Sequence, residues 1–117
     1  MNSPVRLSVI IPTWNNQPVL QRALESWRKF ATGKPIEIIV VADGCRDNTV
    51  EYLRSLESDS WAKRYVRWLQ NEQNLNQLVS NNQGFKEARG DLMLVWDDDM
   101  FLEVDWLVDE LIDTFDC

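Results

Sequence analysis

Residues 36–44, IEIIVVADG, decide the fold class of this chain. Residues 36–42 are apolar except for Glu37 and rich in β-branched Ile and Val, and Asp43-Gly44 follows directly. A run of this length and composition predicts a buried strand, and Asp-Gly is typical of the turn that closes one. The segment therefore predicts a buried strand that ends in a polar turn.

Similar apolar runs lie on both sides of this segment. Residues 7–11, ended by Pro12, and residues 65–69 and 92–96 predict three further strands. Helical spacing of apolar residues predicts helices over 18–31, after Asp47 or Asn48, through Phe85 and Ala88 to Gly90, and around Trp106 to Phe115. The order βαβαβαβα predicts an α/β fold, a Rossmann-like parallel sheet with right-handed crossovers and helices on both faces.

Composition indicates one soluble domain over residues 1–117. The chain is 44% hydrophobic with six Trp, which is too apolar for a disordered coil. It has no His, which excludes Ser-His-Asp triads and imidazole metal ligands. Cys45 and Cys117 form neither a disulfide framework nor a zinc motif. With no signal-peptide layout and no apolar run of about 20 residues, we expect a cytoplasmic protein without a transmembrane segment.

The charge of the chain is concentrated at one end. The net charge is −7, and residues 91–117 hold 10 of the 19 acids and none of the 12 bases. Such an acidic end repels nucleic acid and anionic lipid unless a cation intervenes, so no nucleic-acid partner is expected. It indicates either a solvated helix or a metal site.

Three consecutive acids, Asp97-Asp98-Asp99, follow the fourth predicted strand. Adjacent carboxylates repel one another unless a cation or protons relieve them. At the end of an extended strand Asp97 and Asp99 project to the same side, where they suit Mg²⁺ or Mn²⁺. The alternative is a solvated acidic loop leading into a helix near Glu103 and Asp105, where acids suit the helix dipole.

Two more candidates follow the first two strands. The Asp43 carboxylate can accept a base N–H such as the imide of uracil, although a simple Asp-Gly turn explains it as well. Trp14, just after Pro12 and Thr13, can stack on a nucleobase or belong to the core. The remaining tryptophans are assigned to packing: Trp27, Trp61, Trp68, Trp96 and Trp106.

Together these motifs resemble the family 2 glycosyltransferases, which have the GT-A fold. Residues 8–15, SVIIPTWN, resemble the opening strand of that family, and residues 39–49, IVVADGCRDNT, resemble its V-V-D-D-G-S-x-D-x-T turn. The later family pattern, which ends in D-x-D, can be laid on the chain without a gap. Its matching positions are Asn74, Asn82, Gly84, Ala88, Gly90, Asp97 and Asp99.

The resemblance implies an inverting transfer of a sugar from a nucleotide-diphosphate sugar, a UDP-sugar being favoured, to an acceptor hydroxyl. Pro12, Thr13, Trp14 and Asp43 would hold the base. Asp97 would lie near the ribose, with Asp98 beside the nucleotide, and Asp99 would reach the diphosphate through Mn²⁺ or Mg²⁺.

Some positions depart from the family pattern. Ala42 replaces an Asp, Cys45 a Ser and Asn76 a Gly, and Met100 stands where many relatives carry another Asp. Asn81 replaces an Arg that commonly precedes Asn82, which weakens an expected contact to the nucleotide. The family domain runs to about twice this length. We therefore expect the N-terminal, nucleotide-sugar-binding half, without the acceptor site and the catalytic base, and no catalytic residue is assigned.

Other readings stay open. A shortened, non-catalytic nucleotide-sugar-binding or protein-interaction module would have its incomplete sheet edge covered by a second copy or a partner chain. A metal-dependent nucleotidyltransferase shares the D-x-D chemistry, although residues 13–16 are not its Gly-rich basic loop. A phosphoacceptor receiver-like domain is disfavoured, because Pro12-Thr13 stands where its acid pair belongs. We expect the protein in the cytoplasm, with peripheral association at the inner face of a membrane as a second expected location.

Overall fold

The computed structural model of the protein describes residues 5–116; Cys117 and residues 1–4 lie outside this range. The described range contains four strands, each followed by one helix except for the second, which is followed by two helices with a 3₁₀ turn at Leu56–Ser58 between them. The strands are β1 (Leu7–Thr13), β2 (Ile36–Asp43), β3 (Val66–Asn71) and β4 (Leu92–Val95). The helices are α1 (Gln17–Ala31), α2 (Thr49–Ser55), α3 (Ser60–Tyr65), α4 (Gln77–Glu87) and α5 (Leu107–Asp116).

The four strands form one parallel sheet in the order β3-β2-β1-β4. The chain moves outward from β1 through β2 to β3 and then returns to the other side of β1. Strand order therefore reverses between β1 and β4. In open parallel sheets this reversal leaves a crevice outside the carboxyl ends of the strands, and ligands bind there. A ligand site is therefore expected among the residues at the carboxyl ends of β1, β2 and β4.

One face of the sheet carries the main hydrophobic core. Leu7, Val9 and Ile11 of β1 pack there with apolar residues of α1, α2 and α5. Trp27 of α1 is fully buried and meets Trp96, which follows β4, edge to face with ring centroids 5.1 Å apart. This aromatic pair joins the longest helix to the end of β4.

Helix α4 covers the opposite face. It approaches β1 so closely that a Cβ added to Gly84 would lie 2.6 Å from Cγ2 of Ile10. Only glycine fits at this crossing without displacing the strand or the helix. The close approach fixes α4 beside the carboxyl ends of β1 and β2.

A buried carboxylate lies at the amino ends of the strands, on the same face as α4. Glu37 is 1% exposed and accepts hydrogen bonds from the Ser8 hydroxyl at 2.6 Å, Arg67 Nη2 at 2.8 Å, and Arg89 N–H at 2.6 Å and Nε at 3.1 Å. Burial favours the neutral acid, but these donors outweigh it and lower the pKa of Glu37. The network fastens the segment before β4 to the sheet.

The predicted α/β architecture, a parallel Rossmann-like sheet with helices on both faces, is confirmed. The details differ in several places. Strand β1 continues through Pro12, which was expected to end it, to Thr13. A short helix, α3, precedes the third strand, which starts at Val66 and continues to Asn71. Helix α4 ends at Glu87, before the expected Gly90. The packing assigned to Trp106 is wrong: it precedes α5 and is 57% exposed.

Within residues 5–116, no helix has both the length and the apolar character needed to cross a membrane.

Candidate functional site

A cleft of about 430 Å³ opens at the carboxyl edge of the sheet, where the strand order reverses. It contains every site residue expected from the sequence: Pro12, Thr13, Trp14, Asp43, Asp97, Asp98 and Asp99. Four further residues complete its lining: Asn16, Asn74, Asn76 and Gln77. Four segments that are far apart in sequence thus present polar and aromatic groups to one space.

Trp14 lies at the rim of this cleft. Its side chain is 57% exposed, so the alternative that it belongs to the core is wrong. An exposed indole next to polar groups offers an apolar face on which a planar ring can stack.

The loops after β1 and β2 hold each other in place. Asn15 adopts a positive φ of 49°, and its side-chain oxygen accepts the backbone N–H groups of Arg46 at 2.6 Å and Asp47 at 3.2 Å. In return, the Asp47 carboxylate accepts the N–H of Gln17, the first residue of α1, at 3.2 Å. These bonds fix the loop that carries Trp14 against the turn that follows Asp43.

Asp47 also caps α2 by accepting from the N–H and the hydroxyl of Thr49 at 3.0 Å and 2.6 Å. Partial burial opposes its ionisation, yet these donors and Gln17 prevail and lower the pKa of Asp47. A charged acceptor therefore stabilises the starts of both helices that flank this side of the cleft.

The Asp43 carboxylate has a structural task beyond an Asp-Gly turn. It is 4% exposed, and its Oδ1 accepts the backbone N–H of Leu75 at 2.8 Å and Nδ2 of Asn71 at 3.1 Å. These bonds draw the segment after β3 against the end of β2. One oxygen of Asp43 thus organises the wall of the cleft.

Gly44 allows that wall to come close. Its φ is +72°, and a Cβ added there would overlap the backbone nitrogen of Asn74 and lie 2.7 Å from the carbonyl carbon of Gln73. A side chain at this position would push the segment after β3 away from the turn. Gly44 is therefore required for two separate reasons: its positive φ and the close contact with the backbone of Asn74.

The three consecutive acids lie in a turn. Strand β4 ends at Val95, and the N–H of Met100 donates to the carbonyl of Asp97 at 3.1 Å. Asp97 and Asp99 were expected to project to the same side from extended backbone; the extended backbone is absent here, because the chain has already turned. Both side chains are nevertheless exposed and line the cleft.

Asp98 differs from its two neighbours. It is half-buried, and its carboxylate accepts the Thr13 hydroxyl at 2.8 Å. Burial raises the pKa of Asp98, and the negative charges of Asp99 and Asp97 add to this, while Thr13 partly opposes it. Asp98 thus joins the acidic turn to the end of β1.

The acidic turn is anchored from below. Nε1 of the buried Trp96 donates to the carbonyl of Met100 at 2.8 Å, and Leu102 N–H donates to the Ser26 hydroxyl of α1 at 2.8 Å. Arg22 of α1 lies over the ring of Phe101, 4.5 Å from its centroid. The acids are therefore held on a backbone fixed at both ends.

The donor set fits a cation that arrives with its own oxygen ligands. Among residues 5–116 no group of three or more His, Cys, Asp or Glu side chains is arranged to hold a metal. Mg²⁺ and Mn²⁺ at phosphate sites need only one or two protein carboxylates, because phosphate oxygens and water supply the rest. Asp97 and Asp99, both exposed in the cleft, meet that requirement.

The Asn and Gln residues of the cleft were harder to predict from the sequence. Asn76 has a φ of +79° and caps α4 by accepting the N–H of Val79 at 3.1 Å. With a ψ of 165° this is a conformation that glycine adopts far more readily than other residues, so the backbone here agrees with the Gly of the family pattern and Asn76 is strained. The other signal in the sequence was the run of residues 70–83, rich in Asn and Gln and without periodicity.

Comparison with known proteins establishes the family. The family model described as Glycosyl transferase family 2 matches residues 8–116. The chain belongs to glycosyltransferase family 2. It is 39% identical over 98 residues to the undecaprenyl-phosphate 4-deoxy-4-formamido-L-arabinose transferase of Pectobacterium atrosepticum, covering 80% of this chain and 29% of that one. It is 35% identical over 96 residues to the dolichol-phosphate mannosyltransferase of Pyrococcus furiosus, covering 82% and 26%.

Solved structures agree on the fold. S. aureus TarS 1-349 in complex with UDP superposes with a TM-score of 0.79 at 24% identity, over 95% of this chain and 32% of that one. The mannosyltransferase PcManGT from Pyrobaculum calidifontis, in complex with GDP-Man and Mn²⁺, superposes with a TM-score of 0.76 at 20% identity. The match covers 97% of this chain and 33% of that one. The fold is that of the GT-A glycosyltransferases. The chain spans about a third or less of the length of these relatives.

Proposed function

We propose that this chain is the donor-binding part of an inverting glycosyltransferase, which binds a nucleotide-diphosphate sugar together with Mn²⁺ or Mg²⁺. The observation that carries the proposal is that the carboxyl ends of three strands converge on one cleft. Trp14, Asp43 and the acidic turn of residues 97–99 all line it, although they lie at the ends of three different strands. An aromatic face, a hydrogen-bond acceptor and two free carboxylates are what a nucleoside diphosphate with its cation needs.

The base would lie at the Trp14 side of the cleft. The indole would stack on the ring, Asp43 would accept an N–H of the base edge, and Pro12 and Thr13 would complete this wall. A uracil nucleotide is the favoured donor. Two structural neighbours were solved with different nucleotides, UDP and GDP-Man, so the fold alone leaves the base open.

The diphosphate would lie at the acidic turn. Asp97, beside the ribose, and Asp99 would hold the cation, whose charge stabilises the diphosphate as it leaves. Asp98 would support the site by keeping the turn bonded to Thr13. The backbone of the turn, held by the hydrogen bonds of Trp96 and Ser26, would keep these carboxylates in place as the ligand binds.

The reaction would be attack of an acceptor hydroxyl on the anomeric carbon of the donor sugar, with inversion. The acceptor site and the general base are assigned to a part of the enzyme that this chain does not represent. The names of two relatives contain undecaprenyl phosphate and dolichol phosphate. By analogy we propose a polyisoprenyl phosphate or saccharide acceptor, and work in the cytoplasm at the inner face of a membrane.

A second candidate is a non-catalytic module that contacts another chain. Exposed apolar side chains favour it: Leu78 on α4 is 71% exposed and Met93 on the edge strand β4 is 52% exposed. Uncovered edge strands and apolar patches are typical of contact surfaces. A second copy or a partner chain would then cover this face, and nucleotide binding would be retained without transfer.

Two exposed tryptophans allow a matched test of the proposed base site. Trp14 and Trp106 are each 57% exposed, but only Trp14 of the two lines the cleft. Calorimetry with UDP and Mn²⁺ should show that Trp14→Leu weakens binding about tenfold or more, through lost stacking, and that Trp106→Leu leaves it unchanged. Equal effects of the two substitutions, or no binding by the unmodified chain, would contradict the proposal.

A further inference from the structure

The two oxygens of the Asp43 carboxylate are in different situations. Oδ1 accepts Leu75 N–H at 2.8 Å and Asn71 Nδ2 at 3.1 Å. Oδ2 has no hydrogen-bond partner among residues 5–116. A carboxylate oxygen offers about two lone-pair positions, so Oδ1 is saturated and Oδ2 alone can receive a ligand.

Asn71 is held in this orientation by Gln83 of α4. Nδ2 of Asn71 donates to Oε1 of Gln83 at 2.7 Å, and Nε2 of Gln83 donates back to Oδ1 of Asn71 at 2.8 Å. Both N–H bonds of the Asn71 amide are therefore used, one by Gln83 and one by Asp43. A flipped amide would place its oxygen against the Asp43 carboxylate, so the charge fixes the orientation of the whole pair.

The remaining oxygen distinguishes base edges by their number of donors. Uracil presents one ring N–H between two carbonyl groups, whereas guanine presents a ring N–H and an amino N–H side by side. Two parallel donors bind a carboxylate best when each meets its own oxygen. With Oδ1 saturated, the second donor of guanine would lose its water without gaining a partner, which costs affinity.

We propose that Asn71 and Gln83 are positioning residues that set the base selectivity of the cleft. By saturating one oxygen of Asp43, they leave a single acceptor for the base and select an edge with one ring N–H over the two-donor edge of guanine. This inference rests on the proposed function, because it requires a nucleotide beside Asp43.

The test on the unmodified chain compares GDP with IDP in the presence of Mn²⁺, with UDP as the reference ligand. Hypoxanthine and guanine have the same ring size and the same ring N–H, and only guanine adds the amino group. The inference predicts that GDP binds no more tightly than IDP in calorimetry. GDP binding about tenfold more tightly than IDP would mean that both oxygens of Asp43 are available, and would overturn the inference.

Substitutions then test the two amides. Asn71→Leu removes the donor that occupies one lone pair of Oδ1 of Asp43. The affinity for GDP should therefore rise about fivefold to tenfold relative to the affinity for IDP. Gln83→Leu frees the Asn71 amide to rotate and should shift the ratio in the same direction by less. Gln70→Leu is the matched control: this exposed neighbour on β3 should leave the ratio of the GDP and IDP dissociation constants unchanged.

The outcomes separate the two proposals. If the unmodified chain binds UDP but the folded Asn71→Leu and Gln83→Leu variants keep the original GDP-to-IDP ratio, the inference is wrong and the proposed function stands. If the unmodified chain binds none of the three nucleotides with Mn²⁺, the proposed function fails and the inference fails with it. GDP binding about tenfold more tightly than IDP by the unmodified chain overturns the inference even where a substitution prevents folding.

Discussion

The side-chain oxygen of Asn15 accepts the backbone N–H of Arg46 at 2.6 Å, so that the loop after β1 and the loop after β2 share one hydrogen-bonded junction. Trp14 stands directly before this junction and Gly44 shortly before its other side. The two loops at this side of the cleft are thus held together by the Asn15 side chain, and the spacing between them is fixed before any ligand binds. Preorganisation of this kind lowers the cost of ordering loops on binding.

Removing the Asn15 side chain should loosen the junction. Asn15→Gly keeps a residue suited to a φ of 49° and deletes the acceptor, leaving the N–H groups of Arg46 and Asp47 without it. We expect a loss of about 1–3 kcal/mol in the free energy of unfolding, measured by urea denaturation. Asn48→Gly, at an exposed residue whose side chain makes no capping bond, should cost only a few tenths of a kcal/mol. Equal losses of unfolding free energy in the two variants would show that the Asn15 hydrogen bonds do not stabilise the junction.

Two glycines with similar backbone conformation separate close packing from backbone strain. Gly33 and Gly44 have φ values of +88° and +72°, but a Cβ meets nothing within 4 Å at Gly33 and overlaps the Asn74 backbone at Gly44. Gly33→Ala should cost about 1 kcal/mol, from strain alone. Gly44→Ala should cost about 2–4 kcal/mol and weaken UDP binding, because the wall of the cleft must move. Similar urea midpoints for the two variants would contradict this.

The fold and most of the cleft could be predicted from the sequence, because Thr13, Asp43 and the acids after β4 all lie at the carboxyl ends of strands. Parallel strands bring their carboxyl ends to one edge, so residues that directly follow buried strands are predicted to meet there. The prediction required only the strands and their order along the chain. It placed the candidate residues together without any knowledge of side-chain contacts.

The sequence could not show the contacts between loops. Asn71 pairs with Gln83 across 12 residues, and Asp43 bonds to Leu75 across 32. Neither hydrogen bond joins residues at a helical or strand spacing, so neither can be predicted from the pattern of hydrophobic residues. The turn at Asp97–Asp99 was also missed, because an acidic run directly after an apolar strand gives no sign of where extended backbone stops.

The buried carboxylate of Glu37 should make stability depend on pH. Its donors lower its pKa below the usual value of 4.5, so the folded state keeps the charge at a pH where the unfolded chain has taken up a proton. The stabilisation is complete above about pH 5.5 and is lost as the pH falls from there through the lowered pKa. Urea denaturation at a series of pH values measures this loss.

A substitution isolates the contribution of Glu37. Glu37→Gln should cost about 2 kcal/mol at pH 7, since an amide cannot replace a charged acceptor for Arg67 and Arg89. Below the lowered pKa the difference between the two proteins should shrink. Glu51→Gln, on an exposed face of α2, serves as the control. A difference that stays constant from pH 7 to the acid limit would show that ionisation of Glu37 contributes nothing.

The dependence of UDP binding on Mn²⁺ tests whether the acidic turn of residues 97–99 binds a cation together with the diphosphate. Under the proposed function, the dissociation constant of UDP should fall at least tenfold when Mn²⁺ is added, because the cation would join the diphosphate to Asp97 and Asp99. The double substitution Asp97→Asn with Asp99→Asn should abolish that gain. The double substitution Asp105→Asn with Glu110→Asn, which removes the same charge outside the cleft, should preserve it. UDP affinity that is indifferent to Mn²⁺, or a gain that survives the loss of both cleft acids, would contradict the account.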